Sequence, residues 1–160
     1  MESFAGVPHR LERVATLDGA HYYNDSIATT PERTLAGIRS FDEPVVLLLG
    51  GRDKRLPLEE LAGEALRRCR AVVLFGESAH KLEAALRAAK RSHPKGARIV
   101  RTATLDEAFE AARAAARPGD AVLLSPACTS FDAYENFERR GEHFSSLVRR
   151  YVKKAQPSLP

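Results

Sequence analysis

The strongest constraint in this sequence is Val45 to Leu49, a run that is apolar at every position and stops at Gly50-Gly51. A strand with one wet face alternates in polarity. One that is apolar throughout is covered on both faces, as happens where helices flank a parallel sheet. The pattern recurs along the chain: Ala71 to Phe75 ends at Gly76, Ala121 to Leu124 runs into Ser125-Pro126, and Arg98 to Arg101 is a weaker copy. Tyr22 and Tyr23 belong to an earlier strand that ends at Asn24-Asp25, and Asp18-Gly19 marks the turn of an edge hairpin over Leu11 to His21.

Helical patterns fill the intervals. Thr30-Pro31-Glu32-Arg33 reads as a helix start with Thr30 as cap and Pro31 in the first turn, running to about Ser40. Leu58, Leu61, Ala62, Ala65 and Leu66 fall on one face of a helix over Pro57 to Arg68. Ser78 to Arg91 and Leu105 to Arg117 are alanine-rich and amphipathic, and Thr104 with Glu107 has capping-box spacing. Phe137 to Lys153 is the last helix. Strands alternating with helices predict an α/β domain with a mainly parallel sheet of about six strands flanked by helices.

Composition and charge exclude several classes. With 160 residues, 44% of them apolar and 29% charged, the chain fits one globular domain. No apolar run approaches the ~20 residues of a membrane helix. Met1 to Arg10 lacks the apolar stretch of a signal peptide. Cys69 and Cys128 are far apart and outside any CxxC spacing, which argues against zinc ribbons and disulfide frameworks and for a reducing, cytoplasmic setting. The net charge of +4 suits an anionic small molecule without requiring nucleic acid. The densest basic cluster (Arg149, Arg150, Lys153 and Lys154) reads as a solvated helix face.

In an open parallel sheet, ligands bind where the carboxyl ends of the strands and their loops converge. Here those loops are Asn24 to Thr30, Gly50 to Lys54 and Ser125 to Asp132, together rich in hydroxyls with one lysine. Hydroxyls and backbone N–H groups at helix starts bind carboxylates and phosphates, and Lys54 adds a point charge. Each feature also has a plain structural reading. Thr29 and Thr30 cap a helix, Gly50-Gly51 makes a tight turn, Lys54 is a solvated loop lysine, and Cys128 is a small buried residue. His80, His93 and His143 read as surface residues. The sequence contains no GxxxxGK[ST] loop, GxGxxG fingerprint, GxSxG elbow or HExxH pair.

Four ordered motifs resemble one family. They are Phe4 to Glu12; Asn24-Asp25-Ser26 followed by Ala28-Thr29; Leu48-Leu49-Gly50-Gly51 with Asp53-Lys54; and Leu123 to Asp132 continuing through Asn136 to Gly141 and Phe144. In them the chain is similar to the third, amino-acid-binding domain of the Mur ligases, and to the D-glutamate-adding branch more than to its sisters or to the related folate-polyglutamating enzymes. The resemblance implies a Rossmann-like three-layer domain over residues 1–155 with a flexible tail at 156–160. It also implies that the UDP-binding and central ATPase domains lie outside this chain, which alone would be inactive. By the family pattern Thr29, Lys54, Ser130 and the backbone at Phe137 would hold the two D-glutamate carboxylates. Arg10 and Asp25 would reach toward the nucleotide on domain closure, and Asn24 and Ser26 would shape that loop. ATP and Mg2+, held mainly by the central domain, would activate the carboxylate of UDP-N-acetylmuramoyl-L-alanine as an acyl phosphate for attack by the D-glutamate amine. Ile27 stands where many members carry lysine, so no role of that lysine carries over. A stand-alone α/β binding module and one half of a split ligase remain alternatives.

Overall fold

The sheet grows outward from its most apolar strand. In a computed structural model that describes residues 6–155, β3 (Val45–Gly50) lies between β4 (Cys69–Phe75) and β6 (Ala121–Ala127) and pairs with both. β5 (Arg98–Arg101) extends the sheet beyond β4, and β2 (Ala20–Asn24) extends it beyond β6. All of these pairings are parallel. β1 (Glu12–Leu17) closes the far edge antiparallel to β2, giving the order β1-β2-β6-β3-β4-β5. The hairpin turn predicted at Asp18-Gly19 is present, with φ of 54° and 81° at the two residues. Two successive left-handed residues match the twist of an antiparallel pair, and glycine takes that conformation without steric cost.

Helices cover both faces. α1 (Pro31–Ile38), α2 (Glu59–Arg68) and α3 (Ala79–Lys90) pack on one side, where Val45, Leu47, Leu49, Val72, Leu74 and Leu123 point. α4 (Leu105–Ala115) and α5 (Phe137–Ala155) pack on the other against Val46, Leu48, Val73, Val122 and Leu124. Each such side chain removed from water stabilises the fold by roughly 1.5–3 kcal/mol before entropy is counted, so the central strands are what the sequence specifies most firmly. The predicted three-layer α/β class is the class observed.

Boundaries differ locally, for identifiable reasons. Thr30 caps α1 as predicted, its side chain accepting from the Arg33 amide. Thr104 accepts from the Glu107 amide, but the Glu107 carboxylate reaches back to the Ala103 amide, one residue before the cap. α2 begins at Glu59 rather than Pro57, and α4 stops at Ala115 rather than Arg117. Residues preceding a proline avoid helical geometry, and here Pro118 follows Arg117. β6 runs past Leu124 because Ser125 and Pro126 together face Leu49 in a bulge: the register steps from Leu48↔Leu124 to Gly50↔Ala127. A bulge is one of the few places where a central strand accepts proline. The tail expected at 156–160 lies outside the described residues.

At the opposite end of the sheet, the buried Asp120 carboxylate accepts both Nε (2.6 Å) and Nη2 (3.0 Å) of Arg70, and also the Arg117 amide at 2.9 Å. Burial raises its pKa, but the hydrogen bonds from Arg70 and Arg117 outweigh this and hold it below the ordinary aspartate value. A depressed carboxylate contributes stability above its unfolded pKa and loses it as pH falls through the folded one. Asp120→Asn should therefore cost about 2–4 kcal/mol in urea unfolding at pH 7, with the gap from wild type narrowing as pH falls below the ordinary aspartate value. Equal stability at pH 7 would show that the pair does not anchor β4 to β6.

Candidate functional site

β2 feeds α1 on one face of the sheet, its neighbour β6 feeds α5 on the other, and β3 feeds α2 back on the first. Chains that leave adjacent strands in opposite directions open a crevice at their carboxyl ends, so the switch point of this sheet is centred on β6. The three loops singled out from the sequence meet there.

Arg140 ties them together from below. On α5 it shares the buried stripe of Gly141, Phe144, Leu147 and Val148 and is fully buried. Its Nε donates to Ser26 Oγ (3.0 Å), Nη2 to the Ser26 carbonyl (3.0 Å), and Nη1 to the Cys128 carbonyl (3.0 Å) and more weakly to that of Gly50 (3.5 Å). One planar fork thus spans the loops after β2, β3 and β6, which the single point charge of a lysine would not do. Burial lowers its pKa to about 10, so it remains charged at neutral pH.

Asn24 is a second hub. Its Oδ1 accepts the Ser26 amide, and its Nδ2 donates to the Gly141 carbonyl (3.2 Å) and to Ser145 Oγ (3.3 Å). His9 Nδ1 lies 2.9 Å from the same amide nitrogen and so acts as its acceptor. A Cβ at position 141 would sit 2.2 Å from His9 Nδ1 and 2.9 Å from the Asn24 amide, so any other residue there would displace these side chains. The bulge at Ser125 turns its hydroxyl onto Asp25 Oδ2 at 2.7 Å, while Asp25 Oδ1 accepts the Leu11 amide at 3.0 Å. Burial raises the Asp25 pKa despite these two bonds and the nearby charges of Arg10 and Arg33.

The upper side of the crevice is less satisfied. Arg52 and Thr129 exchange backbone hydrogen bonds at 2.9 and 3.0 Å, lacing the loop that carries Lys54 to the one that carries Ser130. Lys54 is exposed, and its Nζ lies 3.5 Å from Thr29 Oγ1. Asp53 turns away to pair with Lys81, leaving Lys54 without a carboxylate partner among the described residues. Ser130 is only 2% exposed, yet its hydroxyl has no hydrogen-bond partner among the described residues. Such a group forfeits roughly 1–3 kcal/mol unless something supplies a partner. Phe137 opens α5, and its carbonyl accepts from Ser26 Oγ at 2.7 Å. Ile27 is half-buried and Arg10 exposed at the rim.

The structure therefore sorts the predicted residues into two groups. Thr29, Lys54 and Ser130 stand on neighbouring loops with polar capacity to spare, whereas Asn24 and Asp25 are buried and committed to protein partners. Cys128 is a buried thiol 3.5 Å from Ser78 Oγ, with its pKa pushed up by burial, in keeping with the plain reading. His143, read as a surface residue, is instead half-buried and hydrogen-bonded to Tyr134. Arg140 and His9 are functional residues beyond those expected from the sequence. For Arg140 the signal was there, since an arginine four residues before Phe144 sits on the apolar face of its helix.

A carboxylate whose pKa is raised in the folded state contributes its stability at low pH and loses it as pH rises through the folded value. Asn at position 25 retains an acceptor for the Leu11 amide and avoids the buried charge. Asp25→Asn should therefore be as stable as wild type or up to about 1 kcal/mol more stable at pH 7, with no difference near pH 3. A substantial loss of stability at pH 7 would mean that the hydrogen bonds to the ionised carboxylate outweigh the cost of burying it.

Comparisons with known proteins identify the family of the chain. A family model described as Mur ligase, glutamate ligase domain, matches residues 9–128. The UDP-N-acetylmuramoylalanine–D-glutamate ligase of Clostridium perfringens is 45% identical over 147 residues, covering 92% of this chain and 32% of that protein. The corresponding ligase of Symbiobacterium thermophilum is 48% identical over 145 residues, covering 91% and 31%. The chain thus spans about a third of the length of these relatives. Among solved structures, the UDP-N-acetylmuramate–alanine ligase of Thermotoga maritima has TM-score 0.62 at 16% identity over 94% of this chain and 31% of its own. A murein peptide ligase from Psychrobacter arcticus has TM-score 0.65 at 14% identity over 98% and 32%; at such identities the likeness concerns the fold. With the family model covering most of its length, the chain belongs to the Mur ligase family as its glutamate ligase domain.

Proposed function

We propose that this chain is the amino-acid-binding domain of the ligase that joins D-glutamate to UDP-N-acetylmuramoyl-L-alanine in peptidoglycan precursor synthesis, and that its cleft holds D-glutamate. The observation that supports this most is the Ser130 hydroxyl, buried and unpartnered, on a loop laced to the one that carries Lys54. An amino acid with two carboxylates needs several donors at fixed separation. Lys54, Thr29, Ser130 and the amide end of α5 at Phe137 supply a charge, two hydroxyls and a helix N-terminus.

In this reading ATP, held with Mg2+ by the central domain outside this chain, supplies the phosphoryl group that activates the acceptor carboxylate. Among the described residues no three His, Cys, Asp or Glu side chains converge on a metal position. Arg10, exposed at the rim, suits a phosphate contact on closure, with Asp25 and Asn24 fixing the loop beneath it. A structural neighbour in the same fold, a bifunctional folylpolyglutamate synthase/dihydrofolate synthase from Yersinia pestis, is complexed with AMPPNP and Mn. The task of this chain is to hold the D-glutamate amine against the activated carbonyl. Proximity and orientation can contribute roughly 7–11 kcal/mol to such a step. Closure over the cleft would exclude the water that otherwise consumes an acyl phosphate. The expected setting is the cytoplasm, where the nucleotide substrates are found.

The test combines this chain with a separately produced fragment bearing the other two domains and follows ATP-dependent phosphate release. Release should occur only in the mixture and only with both UDP-N-acetylmuramoyl-L-alanine and D-glutamate. Lys54→Ala should lower kcat/KM for D-glutamate by about 10- to 100-fold, the range for losing one charged hydrogen bond. Silence from folded, associated fragments would leave a binding module without the reaction.

A further inference from the structure

One set of side chains outside the cleft joins three elements around the loop that delivers Ser130 and Phe137. Within that loop, the Tyr134 hydroxyl lies 2.6 Å from His143 Nδ1, on α5. His143 Nε2 lies 3.2 Å from Asp106 Oδ1, in the first turn of α4. A carboxylate only accepts, so Nε2 carries a proton; with the ring neutral, Nδ1 then accepts from the Tyr134 O–H. The two rings pack with centroids 5.7 Å apart. Burial, and after it the Asp106 charge, push the phenol up to about 12, so it stays a donor across the physiological range.

The backbone carries this anchoring to the cleft. The amides of Tyr134 and Ala133 both donate to the Ser130 carbonyl, at 2.8 and 3.1 Å. On the far side of the loop, Asp132 Oδ2 accepts the Glu77 amide at 3.0 Å. A cavity of about 280 Å³, lined by Phe75, Asp132, Tyr134, Arg140 and His143 among others, gives the loop room to shift when a tether is lost.

We infer that Tyr134, braced by His143 and Asp106, is a positioning residue for the amino-acid pocket, fixing where the Ser130 hydroxyl and the Phe137 backbone stand. This rests on the reading of the cleft as the D-glutamate site. Tyr134 touches neither substrate nor reacting atoms; it acts through Ser130.

Tyr134→Phe keeps the ring and deletes only the hydroxyl. In this chain, amide hydrogen exchange across residues 131–136 should quicken, and the D-glutamate Kd by calorimetry should rise, each about 3- to 10-fold, as expected for one neutral hydrogen bond. Calorimetry is run well below the unfolding midpoint, where a merely stabilising bond would leave affinity unchanged. In the recombined ligase, KM for D-glutamate should rise with kcat unaltered. Unchanged exchange, or faster exchange with unchanged affinity, would overturn the positioning role. Absence of any D-glutamate binding by the wild-type chain would overturn the reading of the cleft, and the positioning role with it.

Discussion

The guanidinium of Arg140 is a charge taken fully out of water and placed where three loops meet. Moving such a group into the interior costs several kcal/mol, offset only when hydrogen bonds replace its hydration. Here the replacements are the Ser26 hydroxyl and the carbonyls of Ser26, Cys128 and Gly50, and no carboxylate of the described residues stands at ion-pair distance. Two consequences follow. The loops after β2, β3 and β6 are held in one relative arrangement, and a guanidinium charge lies beneath them. That charge contributes a field favourable to an anion, opposed by the Asp25 and Asp132 carboxylates.

Above the floor, the division of labour follows burial. Asn24, Ser26, Asp25 and Ser125 spend their polar atoms on one another, on His9, on the Leu11 amide and on α5. Thr29, Lys54 and Ser130 do not. A rigid polar layer beneath an unsatisfied one is the arrangement that preorganised binding calls for, since little side-chain entropy then remains to be lost when the ligand arrives. The Tyr134–His143–Asp106 set extends the rigid layer sideways into the loop that bears Ser130.

Much of this was legible in the sequence because strands buried on both faces announce themselves. Val45 to Leu49 marked a strand buried on both faces, Thr30-Pro31 the start of α1, and Asp18-Gly19 the hairpin. The loops that carry Thr29, Lys54 and Ser130 were legible because they follow such strands, whereas the choice of those three residues came from the family resemblance. The bulge at Ser125-Pro126 was hidden, since it depends on how β6 registers against β3 rather than on local preference. His9 and His143 were hidden for a similar reason: each is defined by partners on other elements, Asn24 for His9, and Tyr134 and Asp106 for His143. Arg140 was half legible, its place on the apolar stripe of α5 visible but its three loop partners not.

The central question is where a dicarboxylate amino acid sits on this chain. A titration of the 15N-labelled chain with D-glutamate, followed by backbone amide shifts and repeated with L-glutamate, addresses this most directly. Saturable changes should centre on Thr29, Lys54, Ser130 and Phe137, leave the Arg70–Asp120 end of the sheet unmoved, and be weaker for the L enantiomer. Changes centred elsewhere, or none up to high millimolar D-glutamate, would contradict the assignment of the cleft.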